Sequence, residues 1–267
     1  MYPTIEIFGK QIGTYPLLAA AGFLIAGLLA CICAKKRKED ENDMIVFFLV
    51  AAVGALVGSH LLYGITNFHF IIELFQNLSI ITSFQKFIQI LLMIFGGSVF
   101  YGGLLGGGLF CFIYLRKKKL NPSFYWDVAA FSVPLFHTFG RIGCFLGGCC
   151  YGIECSWGLS YTQSLVTPAN NVPRFPIQLL EAALNLMLFV LIFLLFQKQK
   201  LKGRLIFVYL TCYPVIRFVL EFFRGDAYRG FLWRLSTSQI ISLLILLAEL
   251  IYFILYQIKK RKLSRLK

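Results

Sequence analysis

The sequence predicts an all-α integral membrane protein that crosses the bilayer about seven times. Hydrophobic residues make up 58% of the 267-residue chain and charged residues only 14%, whereas charged residues are about a quarter of a typical soluble domain. Several apolar runs reach the roughly 20 residues that a helix needs to cross a hydrocarbon core. None of them alternates polar and apolar residues as a barrel strand would. Helices must therefore satisfy the backbone hydrogen bonds in lipid.

Seven apolar runs predict the transmembrane helices, at about 14–34, 44–66, 87–115, 124–149, 175–197, 204–224 and 236–258. The segment 67–86 is also apolar, but polar residues interrupt it, which favours an interfacial or re-entrant piece over an eighth span. Residues 150–173 contain Gly, Pro and Asn and are expected to form a loop on the outside. We find no internal repeat and no soluble segment of domain size, so residues 1–267 are predicted to form a single polytopic membrane domain.

The basic residues indicate how the helices are oriented in the membrane. The net charge is +14, and most of the Lys and Arg residues fall in four clusters, at 35–38, 116–119, 198–204 and 259–267. A cluster follows every second predicted helix, as expected where short cytoplasmic loops hold the positive charge. The N-terminus is therefore predicted outside and the C-terminus in the cytoplasm. Because topology accounts for the charge, no nucleic-acid partner is expected.

Several charged residues lie within or at the edges of the predicted spans, among them Arg141, Glu181, Arg217, Glu221, Arg224 and Glu249. A charge at the bilayer centre costs at least about 2.5–3.5 kcal/mol, so these side chains should face a polar interior. The stretch from Tyr213 to Arg224 carries its polar residues three or four positions apart, and therefore as one stripe along the sixth helix. The predicted topology brings this stripe, Arg141 and Glu181 together in the outer half of the membrane.

This group of charges predicts an anion-binding site. Three arginines against two nearby carboxylates leave a positive excess in a cavity of low dielectric constant. Guanidinium groups bind forked oxygens well, and a phospholipid phosphate has such oxygens. The alternative is that the same residues form internal Arg–Glu pairs that hold the helices together, with Arg224 and Glu221 as one such pair.

The third predicted helix contains the glycine-rich stretch GGSVFYGGLLGGG, residues 96–108. Its glycines recur four residues apart, a spacing typical of close helix packing in membranes. A second interpretation is that Gly102 and Gly103 let a ligand approach the backbone, and that the hydroxyl of Tyr101 faces a cavity. The two interpretations are compatible.

A second unusual stretch is GRIGCFLGGCCYG, residues 140–152, which carries three of the eight cysteines. These are Cys144, Cys149 and Cys150, and Cys155 follows in the loop. One interpretation makes these thiols structural or incidental, for example through a disulfide from Cys149 or Cys150 to Cys155 in an oxidising compartment. The others are a modified catalytic role, or a redox or metal function.

The sequence at these residues resembles the prolipoprotein diacylglyceryl transferase family of the bacterial inner membrane. GRIGCFLGGCCYG matches the glycine-arginine signature of that family. Further matching stretches follow the family order: Tyr15, FYGGLLG at 100–106, RFPIQLLEA at 174–182, YPVIRFVLEFFR at 213–224 and LSTSQIIS at 235–242. The resemblance implies seven transmembrane helices, an outside N-terminus and a cavity open to the outer leaflet.

The resemblance also implies an activity. Members of the family move the diacylglyceryl group of phosphatidylglycerol onto the thiol of the lipobox cysteine of a preprolipoprotein, which releases glycerol phosphate and leaves a thioether. The expected partners are therefore phosphatidylglycerol, lipobox-containing preprolipoproteins and membrane lipid, in the cytoplasmic membrane of a bacterium. Neither a cofactor nor a metal is expected.

The resemblance assigns site residues by position. Arg141 and Arg217 occupy the two essential arginine positions, and Tyr101 stands where the family usually has a histidine. His137, one turn before Arg141, is the candidate base in place of that histidine. Substrate-binding positions are expected at Tyr15, Gly102, Gly103, Gly152, Tyr213, Glu221, Arg224, Cys144 and Cys149.

The sequence departs from the family pattern at several of these positions. Cys144 replaces an asparagine, Cys149 replaces a glutamate, and GSH at 58–60 stands where a glycine-small-arginine triplet is common. Tyr101 can donate a hydrogen bond, but a tyrosine is a poor base at neutral pH. Two alternatives therefore remain beside the family reaction. One is a phospholipid-dependent transferase with another acceptor. The other is a lipid or anion transporter, and a transporter would be expected to have broken helices and internal symmetry.

Overall fold

The computed structural model of the chain describes residues 2–76, 83–164, 166–226, 231–232 and 234–265. Its α-helices are α1 Thr14–Lys36, α2 Glu41–Thr66, α3 Phe68–Gln76, α4 Phe84–Phe95, α5 Phe100–Lys118, α6 Pro122–Gly147, α7 Ile177–Gln197, α8 Leu205–Leu220 and α9 Thr237–Arg265. Three antiparallel strand pairs accompany them: β1 Thr4–Ile7 with β2 Lys10–Gly13, β3 Glu154–Ser160 with β4 Pro173–Arg174, and β5 Phe231–Leu232 with β6 Leu235–Ser236.

The prediction of a mostly helical, multi-pass membrane protein is confirmed. Among the described residues, six helices are long and apolar enough to span a bilayer, and α4 with α5 makes a seventh span if the bent pair is counted as one. The segment 67–86 contains the nine-residue helix α3, about 13 Å long, which is too short to cross a membrane. Positions 77–82 of that segment lie outside the described residues.

The predicted continuous helix at 87–115 is wrong, because the chain bends by 95° between α4 and α5. Two glycines with low helix propensity follow α4. The backbone N–H of Val99 then donates to the carbonyl of Ser59 on α2, 3.2 Å away, instead of continuing the helix. His60 lies next to this break, with its Nδ1 2.8 Å from the carbonyl oxygens of both Phe95 and Gly97. These contacts with α2 fix the break.

The prediction of an all-α chain needs a second correction at its loops. The loop predicted at 150–173 contains β3 and the first residue of β4. Before the first helix, β1 and β2 form a hairpin whose two-residue turn, Phe8 and Gly9, has positive φ angles of 51° and 72°. This is the turn geometry whose twist matches that of two paired strands.

The chain packs as two units, Met1–Ala30 with Ser123–Lys267 as the first and Cys31–Pro122 as the second. Whether they form the single membrane domain expected from the sequence stays a prediction. In the second unit, α2 and α5 pack through glycines. A Cβ on Gly58 would lie 2.2 Å from the carbonyl oxygen of Gly102, and a Cβ on Gly106 would lie 2.3 Å from that of Gly54. The four-residue glycine spacing therefore gives backbone contact between helices.

In the first unit, α6 is the most buried of the six long apolar helices. Its Asp127, itself buried, accepts hydrogen bonds from the backbone N–H groups of Gly203 and Leu205 at the start of α8. The facing helix α7 carries the buried polar residues Gln178, Glu181 and Asn185 three and four positions apart. A polar stripe of this spacing lies on one face of a helix.

Replacing Gly106 by alanine should destabilise the second unit, because its new Cβ would overlap the backbone of α2. We expect a loss of about 1–3 kcal/mol, the usual cost of overpacking, measured as a lower melting temperature in detergent by circular dichroism. Gly108→Ala on the same helix is the control, since nothing lies within 4 Å of the position of its Cβ. Equal melting temperatures for the two variants would contradict the glycine packing.

Candidate active site

A row of alternating charges connects α6, α7 and α8 in the first unit. Arg141 Nη2 on α6 lies 3.1 Å from Glu181 Oε1 on α7. The other oxygen of Glu181, Oε2, lies 3.3 Å from Arg217 Nη1 on α8. Arg217 Nη2 in turn lies 2.8 Å from Glu221 Oε2, one turn along the chain. One carboxylate therefore bridges the two arginines, and a second carboxylate holds the far side of Arg217.

The row continues beyond α8. Glu221 opens a short 3-10 turn, Glu221–Phe223, and its Oε2 lies 4.0 Å from Arg224 Nη1. Arg224 Nε donates to Asp226 Oδ1 over 2.9 Å. Burial disfavours the charged form of Arg224, but the hydrogen bonds that Arg224 donates to Asp226 outweigh this effect and raise the pKa of the guanidinium above its ordinary value.

Burial explains why these charges are paired. The side chains of Glu181 and Glu221 are 2% exposed and that of Arg217 is 6% exposed. An ion withdrawn from water loses several kcal/mol of hydration, and only close, hydrogen-bonded partners restore it. Arg217 also donates to Ser238 Oγ on α9 over 3.3 Å, so three helices hold this guanidinium.

Two aromatic side chains and a histidine lie beside the row. His137, buried on α6 one turn before Arg141, has its ring centre 5.0 Å from that of Tyr213. Tyr213 is buried on α8 and stacks on Tyr209 at 5.5 Å. The sequence-predicted residues His137, Arg141, Tyr213 and Arg217 are therefore neighbours on two packed helices.

Tyr15, at the start of α1, packs against the end of α6. A Cβ on Gly143 would lie 3.1 Å from Tyr15 Cα and 3.3 Å from its ring, so the glycine allows this close approach. The side chain of Tyr15 stays half exposed and interacts electrostatically with Arg141 and Cys144. This tyrosine therefore lies at the open edge of the charged row.

Three thiols converge where α6 ends. The sulfur atoms of Cys144, Cys149 and Cys150 all lie within 4.8 Å of one another. We call this group the three-thiol cluster. All eight cysteines of the chain are free in the structure, and Cys155 on β3 is not part of the cluster, so neither disulfide considered from the sequence is present.

Backbone geometry produces this convergence. α6 ends at Gly147, and the next residue, Gly148, has a φ of +73°. The N–H of Cys149 then donates back to the carbonyl of Cys144 over 3.1 Å. Cys150 has a φ of +54°, a left-handed conformation that costs a non-glycine residue about 1–2 kcal/mol. A strained residue of this kind persists only where its surroundings hold it.

The surroundings of the cluster do hold this turn. Ser164 Oγ donates to the carbonyl of Gly148 over 3.0 Å, and Gln178 Nε2 donates to the carbonyl of Cys149 over 2.8 Å. Gln178 is fully buried and bonded to the Tyr161 hydroxyl, whose pKa burial raises, so this phenol stays protonated. Gly152 pairs with Arg224 through a backbone bridge, which ties the turn to the charged row.

The remaining predicted residues, Tyr101, Gly102 and Gly103, lie on α5 in the second unit. Tyr101 is buried, and Gly102 packs against the carbonyl of Gly58 as described above. Gly103 is less tightly packed, since its Cβ would lie 3.3 Å from the carbonyl oxygen of Ala55. Their proposed contacts with substrate stay predictions.

The predicted positive excess is wrong within the described residues. Asp226 adds a third carboxylate, so the row contains three arginines and three acids. Asp226 was missed because it follows the last predicted position of its helix, where a charge is unremarkable. Glu181 belongs to the group of membrane charges predicted from the sequence but not to the predicted site residues, although the spacing of Gln178, Glu181 and Asn185 on one helix face indicates a polar interior.

Comparison with known proteins shows the family of the chain. The family model described as prolipoprotein diacylglyceryl transferase matches residues 3–255. A phosphatidylglycerol–prolipoprotein diacylglyceryl transferase of Clostridium tetani is 32% identical over 96% of this chain and 98% of its own length. Transferase 2 of Clostridium perfringens is 32% identical over 96% of both chains, and the Streptococcus uberis enzyme is 30% identical over 96% of this chain and 95% of its own. The chain belongs to the prolipoprotein diacylglyceryl transferase family.

Proposed function

We propose that this chain transfers the diacylglyceryl group of phosphatidylglycerol to the lipobox cysteine thiol of a preprolipoprotein. It is a multi-pass enzyme of the bacterial cytoplasmic membrane, and its products are a thioether-linked lipoprotein precursor and glycerol phosphate. The observation that carries the proposal is the buried Arg141–Glu181–Arg217 bridge in a member of this family.

The reaction is a displacement at the glycerol carbon that bears the phosphate. The acceptor sulfur forms a bond to this carbon while the carbon–oxygen bond breaks, and the bonding electrons pass to the phosphate oxygen. A monoanionic phosphodiester thereby becomes a dianionic monoester. Catalysis requires donors that stabilise this growing charge, and preorganised donors in a dry site are the most effective.

Arg141 is the arginine that we assign to the phosphate. Its side chain is 14% exposed against 6% for Arg217, and it lies at the end of the row beside Tyr15. Among the described residues its one ion pair is to Glu181, whereas a guanidinium has five N–H donors. Arg217 is paired with two carboxylates and with Ser238, and its ion pair with Glu181 holds that carboxylate in place. Glu181 is therefore a positioning residue for both arginines.

The other residues receive supporting roles. We assign proton acceptance from the thiol to His137, because it is buried next to Tyr213 one turn from Arg141. Tyr213, Tyr15 and Gly152 line the substrate site, together with the charged row and the three-thiol cluster. Tyr101, Gly102 and Gly103 are assigned from the family resemblance, with the Tyr101 hydroxyl as a hydrogen-bond donor.

We propose that the N-terminus lies outside and the C-terminus in the cytoplasm, with the site open to the outer leaflet. Basic residues in the last turns of α1 and α5 support this orientation, because short cytoplasmic loops retain positive charge. A phosphatase reporter fused after the α9 helix should stay inactive, and one inserted between β1 and β2 should be active. The opposite pattern would reverse the topology.

A lipid or anion transporter is the second candidate, and the 95° bend between α4 and α5 is the observation that favours it. Family membership favours the transferase. Vesicles that contain the purified protein separate the two: a transporter would release a trapped anion, whereas the transferase would leave the vesicles sealed.

Transfer should depend on both bridged arginines. With purified protein, phosphatidylglycerol and a lipobox peptide, the wild type should release glycerol phosphate and add one diacylglyceryl mass to the peptide. Arg141→Ala should lower the rate by about 10²–10³, the loss expected for one donor to a developing anion. Arg217→Ala should also lower the rate, because Glu181 then loses a partner that helps it to orient Arg141. Arg116→Ala, at the end of α5, is the control and should keep its activity. Full activity in both site variants would refute the proposal.

Glu181→Gln should lower kcat more than it changes the KM for phosphatidylglycerol. The amide keeps the shape of the side chain but loses the charge that orients Arg141 and Arg217. Stability should also fall, by about 3–5 kcal/mol, because two buried arginines lose a partner. Glu249→Gln is the matched control, since that carboxylate, on α9, accepts from Thr211 Oγ1 at 2.8 Å and is not in the row. Equal kcat values for the two variants would show that Glu181 does not position the arginines for the reaction.

A further inference from the structure

The three-thiol cluster lines the proposed substrate site beside the charged row, but the electrostatic mechanism above gives its sulfur atoms no chemical step. Cys144 is buried, and Cys149 and Cys150 are partly exposed, so the cluster has an enclosed side and an open side. Arg141 interacts electrostatically with Cys144 and Cys150, and Arg224 interacts with Cys150. The positive charge of two arginines therefore lies next to three thiols, where it stabilises their thiolate forms.

The geometry of the cluster fits a tetrahedral metal ion. Zn–S bonds of about 2.3 Å at tetrahedral angles place sulfur atoms about 3.8 Å apart. The three sulfur atoms here lie within 4.8 Å of one another, so side-chain rotations of about 1 Å complete the site. The turn that carries Cys149 is already held by Ser164 and Gln178, so binding needs little rearrangement of the backbone.

We propose that Cys144, Cys149 and Cys150 bind one Zn²⁺ ion, whose open fourth position takes the thiol of the acceptor cysteine. The proposal rests on the transfer reaction proposed above. Soft thiolate ligands select zinc or copper(I) over harder ions. Three protein ligands with a fourth position left open are the arrangement of catalytic zinc, whereas structural zinc has four protein ligands.

The charges around the cluster suit a zinc thiolate. A Zn²⁺ ion with three thiolates carries a net charge of −1, which becomes −2 when a fourth thiolate binds. In a buried site such an anion needs positive neighbours. Arg141 and Arg224 are those neighbours, and their positive charge offsets the negative charge of the zinc thiolate.

The ion would prepare the nucleophile for the reaction. A thiol that coordinates zinc loses its proton, which passes to His137, the acceptor assigned above. The bound thiolate then attacks the glycerol carbon: the carbon–sulfur bond forms, the carbon–oxygen bond breaks and its electron pair leaves on the phosphate held by Arg141. No oxidation occurs, and the neutral thioether is a weak ligand that the zinc releases.

The first test measures metal content apart from activity. Protein purified in detergent after growth with added zinc should contain about one zinc ion per chain by mass spectrometry. Exchange for Co²⁺ should give the intense near-ultraviolet bands of cobalt–thiolate bonds. Cys149→Ser and Cys150→Ser should each weaken binding at least tenfold, given that even outer-shell changes cost that much. Cys212→Ser on α8 is the control.

Several results would overturn the site. One is a folded wild-type protein without stoichiometric zinc and without cobalt–thiolate bands. Another is copper(I) in place of zinc, or a disulfide within the cluster after thiol alkylation and peptide mapping. Chelation followed by zinc addition repeats the test without mutation, so a variant that fails to fold does not decide it.

The second test separates the zinc site from the transferase activity. A lipobox peptide should shift the cobalt bands, and its Cys→Ser counterpart should not; unchanged bands with the thiol peptide would overturn acceptor coordination. Transfer at the full rate by chelated, metal-free protein would refute the zinc role and leave the transferase intact. Shifted bands without transfer, from metal-loaded protein, would instead refute the proposed function and keep the site.

Discussion

The bridging of two arginines by one buried carboxylate is the interaction on which the rest of the site depends. Arg141, Glu181 and Arg217 come from three helices, and each would be strongly disfavoured in the bundle without the others. Their pairing therefore fixes how α6, α7 and α8 approach one another. It also explains the polar face of α7, where Gln178 holds the turn after α6 and Glu181 holds the arginines.

This arrangement solves a problem that a phospholipid-binding enzyme faces in a membrane. Arginines that wait for a phosphate must be desolvated before the lipid arrives, yet an unpaired guanidinium in that setting is too costly. In the structure the acids along the row supply the negative charge that the arginines need, and under the proposed function Arg141, at the end of the row, would donate to an incoming phosphate. Under this proposal, most residues of the row position Arg141, and Arg141 itself binds the phosphate.

The sequence predicts the helices well because lipid imposes their length and composition. The second predicted helix ends at residue 66, as α2 does, and the charges within predicted spans lead directly to Arg141, Arg217 and Glu221. The break after α4 was not predictable, because glycine pairs also occur within membrane helices. It depends on Ser59 and His60, which meet it only through the tertiary fold.

Two features of the site could not be predicted from the sequence, because they also depend on the tertiary fold. Asp226 follows a helix end, and nothing local indicates that it folds back onto Arg224. In the three-thiol cluster, Cys150 has a left-handed φ, which propensity does not predict for cysteine. Sequence patterns predict elements and candidate residues, whereas partners separated along the chain come from the fold.

The glycine contact between α2 and α5 limits how the second unit can move. Because the backbone of Gly58 touches that of Gly102 and Gly106, a slide of α5 by one turn, about 6 Å, would in one direction bring Phe110 of the same face to the place where Gly106 meets α2. The glycine packing therefore opposes piston motion of α5 against α2, and it keeps Tyr101, next to Gly102, at a fixed position along α2.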